Sequence, residues 1–375
     1  MDFSRMSLLI AAGGQSRRMG RDKRWLSWQG RSLLEALLEK AVQQGFQEIL
    51  LCIDTPSRKW QKLAGSYGAR LVPDEQSCCG PMEGLRCGLS VLRTKYALAV
   101  SCDLPFFAFR PYKELAEPAP GVMALVPVAD GQKQPLAAVY AREMAGVFQT
   151  ALRHGERRLG RVLEQGRTAY VDFSAWRMGF FNVNTPAELR LAQGRQLNLS
   201  RRLPVVSVAA ACSGTGKTTW LERVLQELAH RNYRVGVVKS THHVQSPDET
   251  GKDSQRFRLA GAQCTALVGR GPADQSERLL AAAEQMEHVD LVLLESRSHG
   301  VMPVLELLRT GVSEQLFTPE DRLTAVLSDG PPVSDAGLFV FSLNDPVKAA
   351  ELVLFLAGKD VTLQKKDFAH GARTI

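Results

Sequence analysis

Short apolar runs rich in Val, Ile and Leu alternate along this chain with segments whose apolar residues recur at helical spacing, the pattern of a parallel sheet covered by helices. In the first half the strand candidates are Leu8 to Ala12, Ile49 to Ile53, Ala69 to Val72, Ala97 to Cys102 and Val122 to Val128. Between them Ser32 to Gly45 reads as a helix with Leu33, Leu34, Leu37, Leu38 and Ala41 on one face. The stretch Gln193 to Pro204 is polar, basic and closed by a proline, and reads as a linker. Beyond it the rhythm restarts with Val205 to Ala211, Val235 to Lys239, Leu291 to Leu294, Thr324 to Leu327 and Phe339 to Ser342. The pattern therefore predicts two α/β domains, over residues 1–195 and 204–375, with irregular structure after Gly358.

A length of 375 residues is sufficient for two cores without disulfides or structural metals. The seven cysteines form no C-x-x-C pair and have no histidines at zinc-ligand spacing, which fits free thiols in a reducing compartment. No window approaches 18 uninterrupted apolar residues and the apolar start is too short for a signal peptide, so the expectation is a soluble cytoplasmic protein with no membrane partner. Charge adds a division. Residues 1–200 hold 27 basic and 18 acidic residues of the chain's 47 and 39, so the whole excess of +8 lies in the first half. That half is expected to handle an anion. No basic surface interleaved with aromatics accompanies it, so a nucleic-acid partner is not expected.

The anion has a candidate address in Leu8 to Lys23, LLIAAGGQSRRMGRDK. An apolar strand runs into Gly13-Gly14, where backbone N–H groups can approach a phosphate unhindered by Cβ atoms, and Arg17, Arg18, Arg21, Lys23 and Arg24 follow. Carboxyl ends of strands are where open α/β sheets bind ligands. Gly13, Gly14 and Gly20 do not have dinucleotide-fingerprint spacing. Asp103 ends another apolar strand and is an oxygen donor suited to Mg2+, which needs only one or two carboxylates; a helix-capping role is the alternative. His154 is the single histidine of this half, which argues against a serine or cysteine hydrolase.

The second half carries a more specific signal. A buried strand leads into Cys212-Ser213-Gly214-Thr215-Gly216-Lys217-Thr218-Thr219 and then an amphipathic helix, the strand–loop–helix context of a phosphate-cradling P-loop. Lys217 would reach the β and γ oxygens and Thr218 would contact Mg2+. Ala211 stands where the first glycine of the motif is expected, which requires a negative φ there. Glu295 ends an apolar strand at the position of a second Mg2+ contact.

At Ala12, Gly13, Gly14, Ser16, Arg18, Met19, Gly20, Asp22 and Lys23 the first half resembles the signature of the molybdenum cofactor guanylyltransferases. Pro73-Asp74 with Gly80-Pro81, Ser101 to Pro105, Gln134-Pro135-Leu136 and Phe181 to Pro186 resemble further segments of that family, over about residues 6–192. Met82-Glu83 departs from the family's Leu-Ala. The second half, over about residues 204–310, resembles the molybdopterin-guanine dinucleotide adaptor proteins at Ser213 to Thr219, Val238-Lys239 with His242-His243, Gly251 to Ser254, Ala260 to Ala262 and the strand ending in Glu295. Ser296-Arg297-Ser298 departs from that family's pattern.

The resemblance implies a Rossmann-like nucleotidyltransferase sheet followed by a P-loop NTPase sheet, with GTP as substrate and Mg2+ as cofactor. It implies nucleotide contacts at Ala11, Ala12, Gly13, Gly14, Lys23, Asp54, Asp74 and Asp103, with Arg18, Lys23 and Asp103 catalytic. It also implies acceptor contacts at Pro135, Asn182 and Asn184, Mo-molybdopterin as acceptor and apo-molybdoenzymes as recipients. Molybdopterin cytidylyltransferases share much of the pattern, and Gly14 favours the guanine nucleotide. A non-catalytic GTP-dependent cofactor carrier is the alternative from another class.

Overall fold

The computed structural model describes residues 1–13, 22–76, 79–241, 254–269, 274–296, 301–330 and 337–363, and the backbone of 369–370. Its contacts divide the chain into two compact units, Met1–Asn184 and Thr185–Ile375.

In the first unit the apolar runs pair as expected. β1 (Met6–Ala11) lies between β4 (Glu48–Ile53) and β6 (Tyr96–Ser101), parallel to both, and β5 (Arg70–Pro73) is parallel to β4. All six residues of β6 and the first five of β1 are buried, because helices cover both faces of a parallel sheet. β2 (Ser27–Trp28) and β3 (Arg31–Ser32) form a small separate hairpin. β7 (Ala124–Ala129), β8 (Gln132–Lys133), β9 (Ala137–Ala141) and β10 (Thr168–Asp172) complete the main sheet in the order β10-β7-β9-β6-β1-β4-β5, with β8 paired to β7. β9 is antiparallel to both β6 and β7, and it carries the chain back across the sheet beside the carboxyl end of β6.

The helix expected over Ser32 to Gly45 is α1 (Leu33–Val42). Ser32 and Glu35 close its first turn reciprocally: Ser32 Oγ accepts the Glu35 N–H at 3.2 Å, and the Glu35 carboxylate accepts the Ser32 N–H at 2.8 Å. α2 (Arg58–Ser66), α3 (Pro81–Ser90), α4 (Arg110–Lys113), α5 (Met144–Arg153) and α6 (Leu159–Glu164) follow. Gly88 of α3 sits so close to the sheet that a Cβ there would meet Cys52 Sγ at 2.8 Å and Leu9 at 3.0 Å.

The second unit begins earlier than the sequence pattern indicates. Residues 193–199 of the stretch read as linker belong instead to α7 (Pro186–Leu199), opened by a Thr185–Glu188 capping box. The segment is polar because its polar groups have buried partners. Asn198 Nδ2 donates to the carbonyls of Val205 and Leu356, both at 2.9 Å, and Asn198 Oδ1 accepts the Val205 N–H at 3.0 Å. Arg195 donates to the carbonyls of Phe355, Gly358 and Lys359 at 2.6–3.1 Å, closing the carboxyl end of a later helix.

β11 (Val205–Ala209), β12 (Val235–Ser240), β13 (Ala262–Val268), β14 (Leu291–Ser296), β15 (Val304–Leu308), β16 (Leu323–Ser328), β17 (Phe339–Ser342) and β18 (Ala369–His370) pair in the order β13-β12-β14-β11-β15-β16-β17-β18. All neighbours are parallel except β17 and β18. The tail read as irregular thus returns one short strand to the sheet edge. β13 and β15 were not legible as strands. Helices of this unit include α8 (Lys217–His230), α9 (Gln275–Glu284) and the almost wholly apolar α10 (Pro346–Leu356), and residues 254–259 are also helical. No described helix is long and apolar enough to cross a membrane.

Candidate functional sites

In the first unit the carboxyl ends of β1, β4, β5 and β6 converge. Ala11 pairs with Cys52 and Ser101, and the Ala12 N–H donates to the Cys52 carbonyl at 2.9 Å, so Gly13 leaves the sheet at a fixed point. A Cβ on Gly13 would lie 3.6 Å from Asp74 Oδ2 and 3.7 Å from the Asp54 nitrogen. Gly14 and Arg18, with Arg17 and Arg21, lie outside the described residues.

Lys23 opens a short 3-10 turn, Lys23–Trp25, capped by Asp22, and its ammonium lies 2.6 Å from Asp103 Oδ2. Burial pulls the Lys23 pKa down, but the charge and hydrogen bond of Asp103 more than offset it and leave it raised. Asp103 is buried two residues beyond β6, and its carbonyl accepts the Val183 N–H at 2.9 Å. That bond brings the Asn182–Asn184 segment alongside Asp103. The Leu136 carbonyl accepts the Ser101 N–H at 2.8 Å, which sets Pro135 near the carboxyl end of β6, and the Pro135 carbonyl accepts the Tyr140 hydroxyl at 2.6 Å. The alternative of Asp103 as a helix cap is not what the carboxylate does: it holds a lysine.

Arg24 braces the other side. It donates to Ala12 O at 2.8 Å and Asp54 Oδ1 at 3.0 Å, and grips Asp22 through two nitrogens at 2.7 Å. It therefore ties Ala12, Asp22 and Asp54 together, although the charge run groups it with the candidate phosphate-binding cations. Asp74 follows β5. Burial first, then the nearby charges of Glu83 and Asp54, push its carboxyl up to about 6, and its Oδ1 is buried without a hydrogen-bond partner. An acceptor left in this condition is an invitation to donors from a ligand.

In the second unit Gly214 and Gly216 adopt φ of +83° and +92°, the left-handed region that favours glycine. Ala211 is not among the positive-φ residues, so the missing first glycine does not alter the loop's handedness. Thr215 is buried, with its hydroxyl donating to the Cys212 carbonyl at 2.9 Å. Lys217, Thr218 and Thr219 form the first turn of α8, where backbone N–H groups and the helix dipole favour phosphate. The Thr218 hydroxyl donates to Glu295 Oε1 at 3.4 Å, and Glu295 Oε2 lies 3.3 Å from Lys239 Nζ. His242 and His243 lie outside the described residues.

Sequence reasoning missed Arg309. It lies just beyond β15, and a Cβ on Gly216 would meet its guanidinium at 3.0–3.2 Å, so the cation rests directly on the P-loop. Asp329, after β16, stands 3.6 Å from Arg309 Nε and accepts the Thr310 N–H at 2.9 Å, fixing the segment that carries the arginine. No local motif marks Arg309; only the unrecognised strand before it would have.

One unit thus has the strand-end loop, cation and carboxylates of a nucleotidyltransferase, and the other the loop of a P-loop NTPase. Family profiles agree: MobA-like NTP transferase domain matches residues 8–169, and Molybdopterin guanine dinucleotide synthesis protein B matches 205–329. A probable molybdenum cofactor guanylyltransferase of Chloroflexus aggregans is 35% identical over 201 residues, 50% of this chain and 93% of its own length. The molybdopterin-guanine dinucleotide biosynthesis adapter protein of Escherichia coli is 34% identical over 160 residues, 39% of this chain and 89% of its own. The crystal structure of molybdopterin-guanine dinucleotide biosynthesis protein A from Archaeoglobus fulgidus superposes with a TM-score of 0.44 at 26% identity, covering 50% of this chain and 97% of that one. The chain belongs to the molybdenum cofactor guanylyltransferase family through its first half and to the molybdopterin-guanine dinucleotide adapter family through its second.

Proposed function

We infer that the chain transfers GMP from GTP to Mo-molybdopterin, forming the molybdopterin guanine dinucleotide cofactor and diphosphate, and that its second unit is a fused GTP-binding adapter. The observation that carries this reading is the Lys23–Asp103 pair at the mouth of the Gly13 loop, flanked by Asp54, Asp74 and the Asn182–Asn184 segment.

The reaction joins an acceptor phosphate oxygen to the α-phosphorus and breaks the bond to the β-phosphate oxygen, so diphosphate carries away the electron pair. An acceptor phosphate with a second pKa near about 6 is already ionised and needs no general base. What the site must supply is charge neutralisation and alignment. Backbone N–H groups of the Gly13-Gly14 loop and the Lys23 ammonium bind the triphosphate, with Arg18 as a further cation. Asp74 reads the base, Asp54 and Ala11-Ala12 bound the nucleoside, and Pro135, Asn182 and Asn184 face the pterin. The oxygen-only donor sets fit a hard cation: Asp103 in the first unit, and Thr218 with Glu295 in the second, would hold Mg2+, which when bound neutralises phosphate charge.

The second unit binds GTP through Gly214 to Thr219, and recipients of the finished cofactor are apo-molybdoenzymes in the cytoplasm. The test is diphosphate release from the purified chain with Mg2+, the pterin acceptor and each nucleoside triphosphate in turn. GTP should support release, and Lys23→Ala or Asp103→Ala should lower it at least about 100-fold, whereas Lys217→Ala should leave it intact. Release with CTP alone would reassign the nucleotide. Nucleotide binding without release from any triphosphate would leave a carrier.

A further inference from the structure

Glu83 stands where the guanylyltransferase pattern has alanine, and its carboxylate is turned inward, away from solvent. It is 0% exposed in the first turn of α3. Oε2 accepts Arg86 Nε at 2.9 Å, while Oε1 accepts Arg86 Nη2 at 2.9 Å and the backbone N–H groups of Glu75 and Gln76 at 3.2 and 3.1 Å. Arg86 Nη2 also reaches Glu75 Oε2 at 2.7 Å. Glu75, Glu83 and Cys87 lie close enough together to hold a cation, but the Arg86 guanidinium is the cation in their midst.

A buried ion pair contributes little net stability compared with apolar side chains of the same volume, so its use lies in what it fixes. Here it fixes the backbone immediately after Asp74. Asp74 is held on its other side by its own N–H, which donates to the Ile53 carbonyl at 2.8 Å. Clamped at both ends, its carboxylate lies between two glycines: a Cβ on Gly84 would touch Oδ1 at 3.4 Å, and one on Gly13 would touch Oδ2 at 3.6 Å. Oδ1 is the buried acceptor without a partner. The charged or ionisable groups around it are Glu83 and Arg86 of α3, Asp54 after β4 and the Cys52 thiol of β4. A guanine base presents N1–H and N2–H2 donors along one edge, complementary to two carboxylate oxygens.

We propose that Glu83 and Arg86 are a positioning pair, which fixes the turn after β5 so that the Asp74 carboxylate faces the donor edge of a guanine base and sets the selectivity of the nucleotide site. The inference deepens the reading of the first unit as a GTP-using transferase and rests on it. In this chain the turn is held by a side chain that the guanylyltransferase pattern lacks.

The test uses the full chain carrying Lys217→Ala, so that the P-loop does not contribute, and calorimetric titration with GTP and with inosine triphosphate, which lacks the N2 amino group. The parent should bind GTP about tenfold more tightly than inosine triphosphate, the worth of one charge-assisted hydrogen bond. Asp74→Asn should abolish that preference. Glu83→Leu with Arg86→Met keeps the volume apolar and should melt near the parent, yet bind GTP about tenfold more weakly, with the preference shrinking toward unity. Glu83→Gln, nearly isosteric, should shift in the same direction and decides the matter if the double variant does not fold. A folded variant at Glu83 that keeps the parent's preference overturns the positioning role. Asp74→Asn keeping the preference overturns the base contact and the positioning role together. Discrimination that depends on Glu83 in a chain releasing no diphosphate would remove the transfer reading and leave the positioning pair standing.

Discussion

Lys23 and Asp103 come from segments 80 residues apart and meet at 2.6 Å, each serving as counter-ion to the other at the end of β6. The cation proposed to bind the triphosphate and the acid proposed to hold Mg2+ are thus held together before either ligand arrives. Removing one takes from the other its partner at 2.6 Å, so the two losses should not add. Diphosphate release by the Lys23→Ala/Asp103→Ala double variant should fall about as far as in the worse single variant, a coupling equal to the smaller single loss, at least about 2.7 kcal/mol for a 100-fold effect. Simple additivity would mean that the residues act separately.

Asp74 predicts an acid limb. Burial, then Glu83 and Asp54, raise its carboxyl to about 6, so below that pH the acceptor becomes a neutral acid and the charged contact proposed to the base would be lost. The apparent KM for GTP should rise as pH falls through about 6, with kcat changing less, and Asp74→Asn should flatten the limb. Because the folded pKa lies above the unfolded one, this group favours the fold when protonated and opposes it as pH rises through the folded value. Asp74→Asn should accordingly melt slightly above wild type at pH 8.

Arg309 predicts a cationic contribution to the P-loop. With Asp103→Ala silencing the first unit, Arg309→Ala should weaken GTP binding about tenfold, and Arg309→Lys should recover only part, since an ammonium cannot reproduce the planar fork. Gly216→Ala faces both the left-handed φ of +92° and the guanidinium at 3.0 Å, and should lose GTP binding more severely. Unchanged affinity in Arg309→Ala would reduce the residue to a brace for the Asp329 loop.

Helix α7 predicts where the second unit can be cut. A fragment beginning at residue 185 should melt well above one beginning at 204. The shorter piece loses buried Leu191, Ala192, Arg195 and Asn198 and leaves the carbonyls of Val205, Phe355 and Leu356 without their donors. The difference should exceed about 3 kcal/mol, the scale of one buried aliphatic side chain plus an orphaned polar group. Equal melting points would make α7 dispensable.

The sequence made the parallel strands legible because they are doubly buried and read as uninterrupted apolar runs: Leu8, Leu9 and Ile10 in one unit, Leu291 to Leu294 in the other. It hid β13, whose edge position leaves Cys264 to Leu267 half-exposed and compositionally ordinary, and β15, where the buried Glu306 breaks the apolar run. Glu306 tolerates burial because it accepts the N–H groups of Phe317 and Thr318, partners that no local pattern announces. Residues 193–199, the last part of α7, read as linker for the same reason, Arg195 and Asn198 being polar toward groups over 150 residues away as well as local ones. The candidate sites follow this rule. Gly13, Lys23 and the P-loop are contiguous signals, whereas Glu83 and Arg309 act through neighbours that only the fold supplies.

The buried Glu83–Arg86 pair also constrains how this chain can change over time. Loss of the acid alone leaves the guanidinium with only the exposed Glu75 carboxylate as counter-ion, and loss of the arginine alone leaves a buried carboxylate held by backbone N–H groups; either imbalance costs up to about 3–5 kcal/mol, a large part of a domain's margin. Replacing both together avoids that cost. Positions 83 and 86 should therefore be inherited as a unit among descendants of this chain, acid with arginine or apolar with apolar. The mixed states would be brief passages rather than resting points.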